Sequence, residues 1–447
     1  MNERSLVKYG KNLVSYALKA GATDAEAYVS AGTNEEVRVC NRSVEKVARR
    51  SGVTLSLNIL IGQREGSSTC ESFVKDDLKR TAVEAVAIAR ASTENPFASL
   101  AKEEMWPCTL AELPERQRAL DLVDDAGRQS MPAMKSEGLL LDRLLQAESG
   151  VARTSIVQIT QHQGCSVICN SLGFVGIETY TSYSKYASAI VEAKNGEMNS
   201  GGDGHTVIYR SDLRSSEECA RRAAFRARAL LGATPIPTAR MPVIFDREMS
   251  SSLIGALLWA IYGSSIYDKS SFLFEKLGEQ IFRPGIVIVD NPFIPRGRRS
   301  RLYDQETVRS KRYHVIDNGV LTMYLTSIES GAKLGIPSTG HASGSSNVTL
   351  TRGTQTLEEL IGSIDRGLLV TDLLGHGPNI ATGDYSSGAA GMLIENGGVT
   401  RPVNEVTIAG NLLDMFRMLI PASDMSDDGG TVNAPTCLVG EMTVAGS

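Results

Sequence analysis

The chain has 447 residues, 42% of them hydrophobic and 22% charged, with a formal net charge of −5. That composition fits a globular protein with a sizeable core, about two to three domains long, and excludes collagen-like, low-complexity and strongly disordered classes. No long block of Lys and Arg occurs, which argues against nucleic acid as the main partner. The densest basic cluster is Arg296, Arg298, Arg299 and Arg301 beside Pro295 and Gly297, and it reads as a solvated loop.

The N-terminus lacks the apolar core of a signal peptide. Leu6, Leu13 and Ala17 fall instead on one face of a helix over 4–20, with Gly21 as its stop. Together with seven scattered cysteines, this sets the expectation of a cytoplasmic protein with free thiols. Val53, Leu55, Leu57 and Ile59 alternate as in a strand, Gly62 to Gly66 turns the chain, and a second strand ends near Phe73. A helix follows over 76–91, completing a small α+β unit over 1–95. Residues 92–113 read as a linker. The middle unit, 114–234, is expected to hold helices near 115–130 and 136–148 and then a β-meander from 154 to 199. Its turns fall at Ser171–Gly173 and Lys194–Gly196. Ser215 and Glu218 have capping-box spacing for a last helix to about Leu231. From 240 to 447 the pattern is mostly β, with hairpin signals at Asn318-Gly319 and Asn396-Gly397. The fold class expected is therefore α+β in three parts, the last of them β-rich.

One stretch of that last part stands apart. Glu248–Tyr267 carries no further charge and no histidine, and it contains five serines and two glycines. A membrane span needs about 20 predominantly apolar residues, so the stretch reads as a buried helix over 250–262. Elsewhere chemical signals are thin. No H-E-x-x-H pair exists, and none of His162, His205, His314, His341 and His376 pairs with another at helical spacing. Cys165 and Cys169 lie in a strand-like run about 13 Å apart and read as apolar thiols. GHASGSS (340–346) and GDYSSGAAG (383–391) place serines near glycines, with His341 and His376 not far away, but neither matches a nucleophile elbow.

The C-terminal motifs carry more. "STGHASGSSN", "GLLVTDLLGHGPNIATGDYSSGAAGMLIENGGVTRPVNEVTIAGNLLDM" and "MTVAG", with "YDQETVRSKRYHVIDNGVLTMYLTS" before them, closely resemble the TldD/TldE family and its TldE branch, also called PmbA. "SLNILIGQREGSSTCESF" and "NSLGFVG" extend the match over nearly the whole chain. The resemblance implies a cytoplasmic metallopeptidase system acting on unfolded peptides. In it a TldD-type chain holds zinc through an H-E-x-x-x-H helix and a later cysteine, and an old family label is modulator of DNA gyrase.

Laying "PVIFDREMSSSLIGALLWAIYG" on the zinc-bearing branch puts its ligand and base positions near Gly255, Ala256 and Ala260, none of which can bind a metal or move a proton. The third ligand would fall near 421–428, where there is no cysteine, and Cys437 comes too late. The resemblance thus implies a chain without cofactor of its own, paired with a zinc-bearing TldD-type subunit in a heterodimer, or with itself in a homodimer. It would complete a chamber around unfolded peptide, held at strand edges by β-augmentation, with no direct nucleic-acid or membrane partner. His341, His376, Asp384 and Tyr385 are the candidates for lining a substrate cleft. Two rivals stay open: a stand-alone peptidase using the His341 or His376 loops, and a non-proteolytic binding module linked to gyrase or toxin control.

Overall fold

The computed structural model describes residues 2–375, 377–426 and 429–446. The first half is built on α1 (Glu3–Ala20), β1 (Asp24–Cys40), β2 (Ser43–Ile61), β3 (Arg64–Cys70) and α2 (Lys75–Ala91). It continues with α3 (Leu113–Ala119), α4 (Met131–Ala147), β4 (Val151–Asn170), β5 (Val175–Glu192), β6 (Met198–Val207) and α5 (Ser216–Ala229). Asn2 caps α1 by accepting from the Ser5 N–H at 3.0 Å. Gly21, at φ 110°, ends it in the left-handed conformation that glycine adopts without steric cost. At α5 the Ser215 hydroxyl accepts from the Glu218 N–H at 3.1 Å, but the Glu218 carboxylate turns to Arg221, so only half of the capping box forms.

All six strands join one antiparallel sheet in the order β3-β2-β1-β4-β5-β6. The expected division of 1–95 from 114–234 therefore runs through a single sheet. It separates two pairs of helices on one face of that sheet instead. Ala25, Ala27 and Val29 of β1 pack with α1 and α2, whereas Val37 and Val39 of the same strand pack with α4 and α5. Because side chains alternate with period two, these odd-numbered positions lie on one face. Gly52, Gly32 and Gly164 stand side by side in register across three strands, in the interval between the two helix pairs.

Two expectations are corrected here. The helix expected over 115–130 is the short α3. It ends because Asp121 takes φ 54°, a strained conformation for a non-glycine residue. Likewise β1 and the first half of β2, which the pattern did not reveal, form a long hairpin before Val53.

The second half opens with β7 (Ala239–Phe245), α6 (Arg247–Ala260) and α7 (Gly263–Tyr267), then β8 (Ile288–Asn291), β9 (Tyr313–Asp317), β10 (Val320–Leu321) and α8 (Ile328–Leu334). After β11 (Asn347–Leu350) and α9 (Leu357–Gly362) come β12 (Arg366–Leu374), β13 (Asp384–Glu395), β14 (Gly398–Asn411) and α10 (Leu412–Met418), then β15 (Ile420–Pro421), β16 (Val432–Asn433) and β17 (Cys437–Ala445). Strands β14, β13, β12, β7 and β17 are neighbours in that order, and β14 pairs again with β17. The sheet thus closes into a five-stranded barrel, which removes the edges that would otherwise invite pairing. A smaller sheet runs β10-β9-β8-β11-β16. Asn318 and Gly319 (φ 48° and 83°), like Asn396 and Gly397 (φ 51° and 73°), make the expected hairpin turns.

The halves are held together by aromatic packing and by the arginine cluster. Phe174 of the first half sits edge-on to Tyr303, 5.2 Å between ring centroids, and the Tyr303 ring leaves no room for a Cβ at Gly176. The basic loop is exposed at Arg296, Arg298 and Arg299, as expected, and each of its arginines also reaches another segment. Arg296 bonds Asp121 at 2.7 Å and lies 3.7 Å over the Tyr209 ring, and Arg298 donates to the Gly429 carbonyl at 2.8 Å. Arg299 and Arg301 donate to the Ser345 carbonyl, each at 3.3 Å, and Arg301 also reaches Gly344. The cluster is a tether, and part of it fixes the 340–346 loop. Among the described residues no helix is long and apolar enough to cross a membrane.

Candidate functional site

The uncharged stretch forms two helices. Asp246 caps α6, accepting from the Glu248 and Met249 N–H groups at 3.0 and 2.9 Å. Leu253, Ile254, Leu257 and Leu258 are buried in the C-terminal core, which explains the missing charge. The break comes at Tyr262, whose extended backbone pairs with Leu325 before α7 begins. Of the three positions singled out on α6, Ala256 is 6% exposed and Ala260 fully buried, while a Cβ at Gly255 would meet nothing within 4 Å. The open stripe of the helix is therefore Ser252, Gly255 and Trp259, the last 65% exposed.

That stripe leads into a cleft of about 510 Å³ between the end of α6, α7, α8 and the 341–344 loop. Its walls include Trp259, Tyr262, Tyr267, Arg299, Lys333 and His341. The loop is braced from beneath. His341 Nε2 lies 3.0 Å from Asp290 Oδ2 on β8, and its Nδ1 lies 2.8 Å from the Thr339 hydroxyl. Asp290 also accepts from the Ser346 N–H and hydroxyl. Burial works to raise the Asp290 pKa, but His341 and the Ser346 donors outweigh it and hold the carboxyl below its usual range. Asp304, from the Tyr303–Thr307 turn, receives the Ala342 N–H at 2.8 Å, and the Ser343 hydroxyl accepts from Gln305 N–H at 2.8 Å.

Serine, histidine and aspartate thus meet at this loop, but in an order that does not make a triad. A hydrolase needs the imidazole between the nucleophile and the carboxylate. Here the carboxylate lies between Ser346 and His341, both imidazole nitrogens are engaged, and Ser346 is 2% exposed. The arrangement is a clamp. The other cleft candidates lie elsewhere. Tyr385 is 4% exposed in the core, edge-on to Phe245, and burial pushes its hydroxyl pKa up. Asp384 is exposed at the start of β13 and accepts from the Thr382 hydroxyl at 2.7 Å. Neither borders the cleft of His341. His376 lies outside the described residues. Sequence reasoning did not single out Trp259, although its i+4 spacing from Gly255 puts both on one helical face. Cys165 and Cys169 share β4, and burial raises both thiols to about 11, so neither is a reactive thiolate.

The sequence matches the PmbA/TldA metallopeptidase C-terminal domain over residues 238–446 and the central domain over 132–231. The chain belongs to the PmbA/TldD metallopeptidase family. It is 34% identical to the metalloprotease PmbA of Escherichia coli O157:H7, covering 96% of this chain and 94% of that one. It is 31% identical to a PmbA homologue of Haemophilus influenzae, covering 97% and 94%. Its fold is shared with a proposed modulator of DNA gyrase from Bacteroides thetaiotaomicron (TM-score 0.91, 23% identity, all of both chains). It is shared also with TldE of Thermococcus kodakarensis (TM-score 0.82, 20% identity, 98% of this chain and 100% of that one).

A PmbA/TldD metallopeptidase implies zinc, so the donor set matters. Gly255, Ala256 and Ala260 offer no donor atom, and the last two are packed into the core. Among the described residues no three His, Cys, Asp or Glu side chains gather where they would hold a metal ion. His162 and His205 stand on β4 and β6 of the first half, and His314 is on β9, opposite Val289 and next to Tyr313, whose ring lies 5.7 Å from that of His341. Among the described residues, then, the donor set does not fit a zinc centre.

Proposed function

We propose that this chain is the TldE/PmbA-like, non-catalytic subunit of a TldD/TldE-type metalloprotease of the cytoplasm, completing the chamber in which a zinc-bearing partner cleaves unfolded peptide. The observation that carries the reading is on α6. The helix is kept and its face is open at Gly255, yet the positions that would hold the metal and the base are glycine and alanine. A water molecule cannot be activated there by a metal, and the Ser346–Asp290–His341 order supplies no activated nucleophile. What is retained is shape: a braced loop, an aromatic cleft and a closed barrel. Such a shape is useful facing a related chain that has the chemistry, in a pseudo-symmetric pair with one live zinc position.

The expected result is no cleavage of an unfolded peptide by the pure chain, and cleavage that a chelator abolishes once a TldD-type chain is added. Equal, chelator-insensitive cleavage by the chain alone would reject the reading in favour of a stand-alone peptidase. No cleavage by the mixture, with a TldD chain active with its own partner, would reject it in favour of a binding module.

A further inference from the structure

A cavity of about 860 Å³ lies between the two halves, walled by α5 and β6 on one side and by the start of α6, β12 and β13 on the other. Ligand sites span roughly 300–1,000 Å³ and occur preferentially at junctions between domains. The apolar part of the wall is Phe225, Met249, Leu357, Leu369, Met392 and Val399. Leu357, Leu369 and Met392 belong to a small core shared with α9. Phe225 is 62% exposed and Val399 45%, yet α5 is fixed beneath Phe225 by Ala223, Ala224 and Ala227, each 0% exposed. A large apolar side chain left open on a fixed helix beside a cavity is characteristic of a binding site. Phe225 is the one ring among the described wall residues. The rest of the apolar wall is aliphatic or thioether, and such adaptable walls fit a flexible chain better than a flat ring system.

Most charges on the wall are answered within the protein. Arg221 pairs with Glu218 at 2.9 Å, Arg222 with Asp203 at 2.9 Å, and Arg226 with Glu248. Asp424 accepts from the Thr436 N–H and hydroxyl, both at 2.8 Å, and Asp246 caps α6. Arg247 and Asp372 remain, and among the described residues neither has a hydrogen-bond or ion-pair partner. Asp372 is exposed on β12, where water screens it. Arg247, the first residue of α6, is half-buried. A guanidinium carries five donors in a fork that matches a carboxylate, so a half-buried one without an acceptor is an anchor waiting for an anion.

We propose that this cavity binds a free medium-chain fatty acid, its carboxylate paired with Arg247 and its alkyl chain laid along Phe225, Met249 and Met392. The inference goes beyond the subunit reading, since it assigns the chain a small-molecule ligand and involves neither a partner nor cleavage.

Calorimetric titration with octanoate, decanoate and dodecanoate, each kept below its micelle concentration, should show one saturable site that tightens by about fourfold per added methylene. Decylamine has the same tail and the opposite charge, and should bind at least about tenfold more weakly than decanoate. Arg247→Gln should cancel that preference. Phe225→Ala should weaken decanoate by about tenfold, whereas Trp259→Phe, in the cleft beside α7, should leave it unchanged. The ligand series is read on the unmodified chain, so it decides the matter even if a variant folds poorly. Heats that do not saturate, affinities indifferent to chain length, or decylamine binding as tightly as decanoate would overturn the proposal. So would loss of binding in Trp259→Phe with Phe225→Ala unaffected, which would move the site to the other cleft. Self-association of the chain that decanoate does not disperse, with no heat on titration, would give the apolar wall to a second copy instead. None of these outcomes bears on the chelator experiment, which alone decides the subunit reading.

Discussion

Ala256→Glu is expected to destabilise the chain by about 3–5 kcal/mol, enough to leave much of it insoluble. Ala256 lies 6% exposed in the cluster that joins α6 to the barrel, among Leu253, Leu257, Val243 and Val370. A glutamate there overpacks a close-packed interior and buries a carboxylate within a hydrophobic cluster. The neighbouring position supplies the control. Gly255→Ala adds a Cβ that meets nothing within 4 Å, and replacing a mid-helix glycine with alanine stabilises by about 0.5–1 kcal/mol. Chemical denaturation of both variants should thus give opposite signs at adjacent residues. An unchanged midpoint for Ala256→Glu would mean that α6 is exposed there. The same packing has a consequence for the chemistry. Restoring a histidine at Ala260, which is fully buried, would wreck the core before it made a ligand.

What could be read in the sequence were features set by neighbours in the chain. The face of α1 is a 3.6-residue pattern, and the turns at Asn318-Gly319 and Asn396-Gly397 are local φ requirements. The β1–β2 hairpin escaped because its middle, GTNEEVRVC and EKVARR, reads as charged. Glu35 and Glu36 are in fact 6% exposed and paired with cations from other segments, Glu36 with Lys46 at 2.9 Å and Glu35 with Arg128 at 3.2 Å. A buried charge satisfied across the fold leaves no periodic trace. The β14–β17 pairing that closes the barrel and the reach of Arg296 to Asp121 are likewise long-range. The site divides in the same way. The uncharged helix and the His341 loop were legible, and the family resemblance named the ligand positions. The burial of Ala260, the openness at Gly255 and the carboxylate placed between Ser346 and His341 depend on tertiary packing.

Glu26→Gln is expected to remove a loss of stability that the chain suffers as pH rises from 4.5 toward 8. Glu26 is 7% exposed on β1, opposite Asn170 of β4 in the register. The Tyr303–Thr307 turn faces it with Asp304 and Glu306. Burial first, and then the charges of Glu306 and Asp304, push the Glu26 pKa from 4.5 to about 8, against the pull of Asn170. Glu306 is driven to about 7 by burial and by Asp304, Glu329 and Glu65, although the Ile328 N–H at 2.7 Å favours its ionised form. No cation is among the causes of either shift. The folded chain therefore holds protons that the unfolded chain has released, and stability falls with pH wherever that is so. The contribution is fully present below pH 4.5, is lost as pH rises through about 7 and 8, and is level above. Each such proton gives a slope of up to about 1.4 kcal/mol per pH unit. Glutamine keeps the shape of the protonated acid and cannot ionise. Thermal melts of the two proteins should coincide near pH 4.5 and separate progressively to pH 9, with Glu26→Gln the more stable by on the order of 3 kcal/mol. Parallel curves over that range would mean that Glu26 is ionised in the folded chain and that the turn carrying Glu306 stands off from β1. A larger gap at pH 9 in a Glu26→Gln/Glu306→Gln double variant would show that the two carboxyls each hold a proton of their own. A gap no larger than that of the single variant would show one proton shared between β1 and the turn that braces the His341 loop.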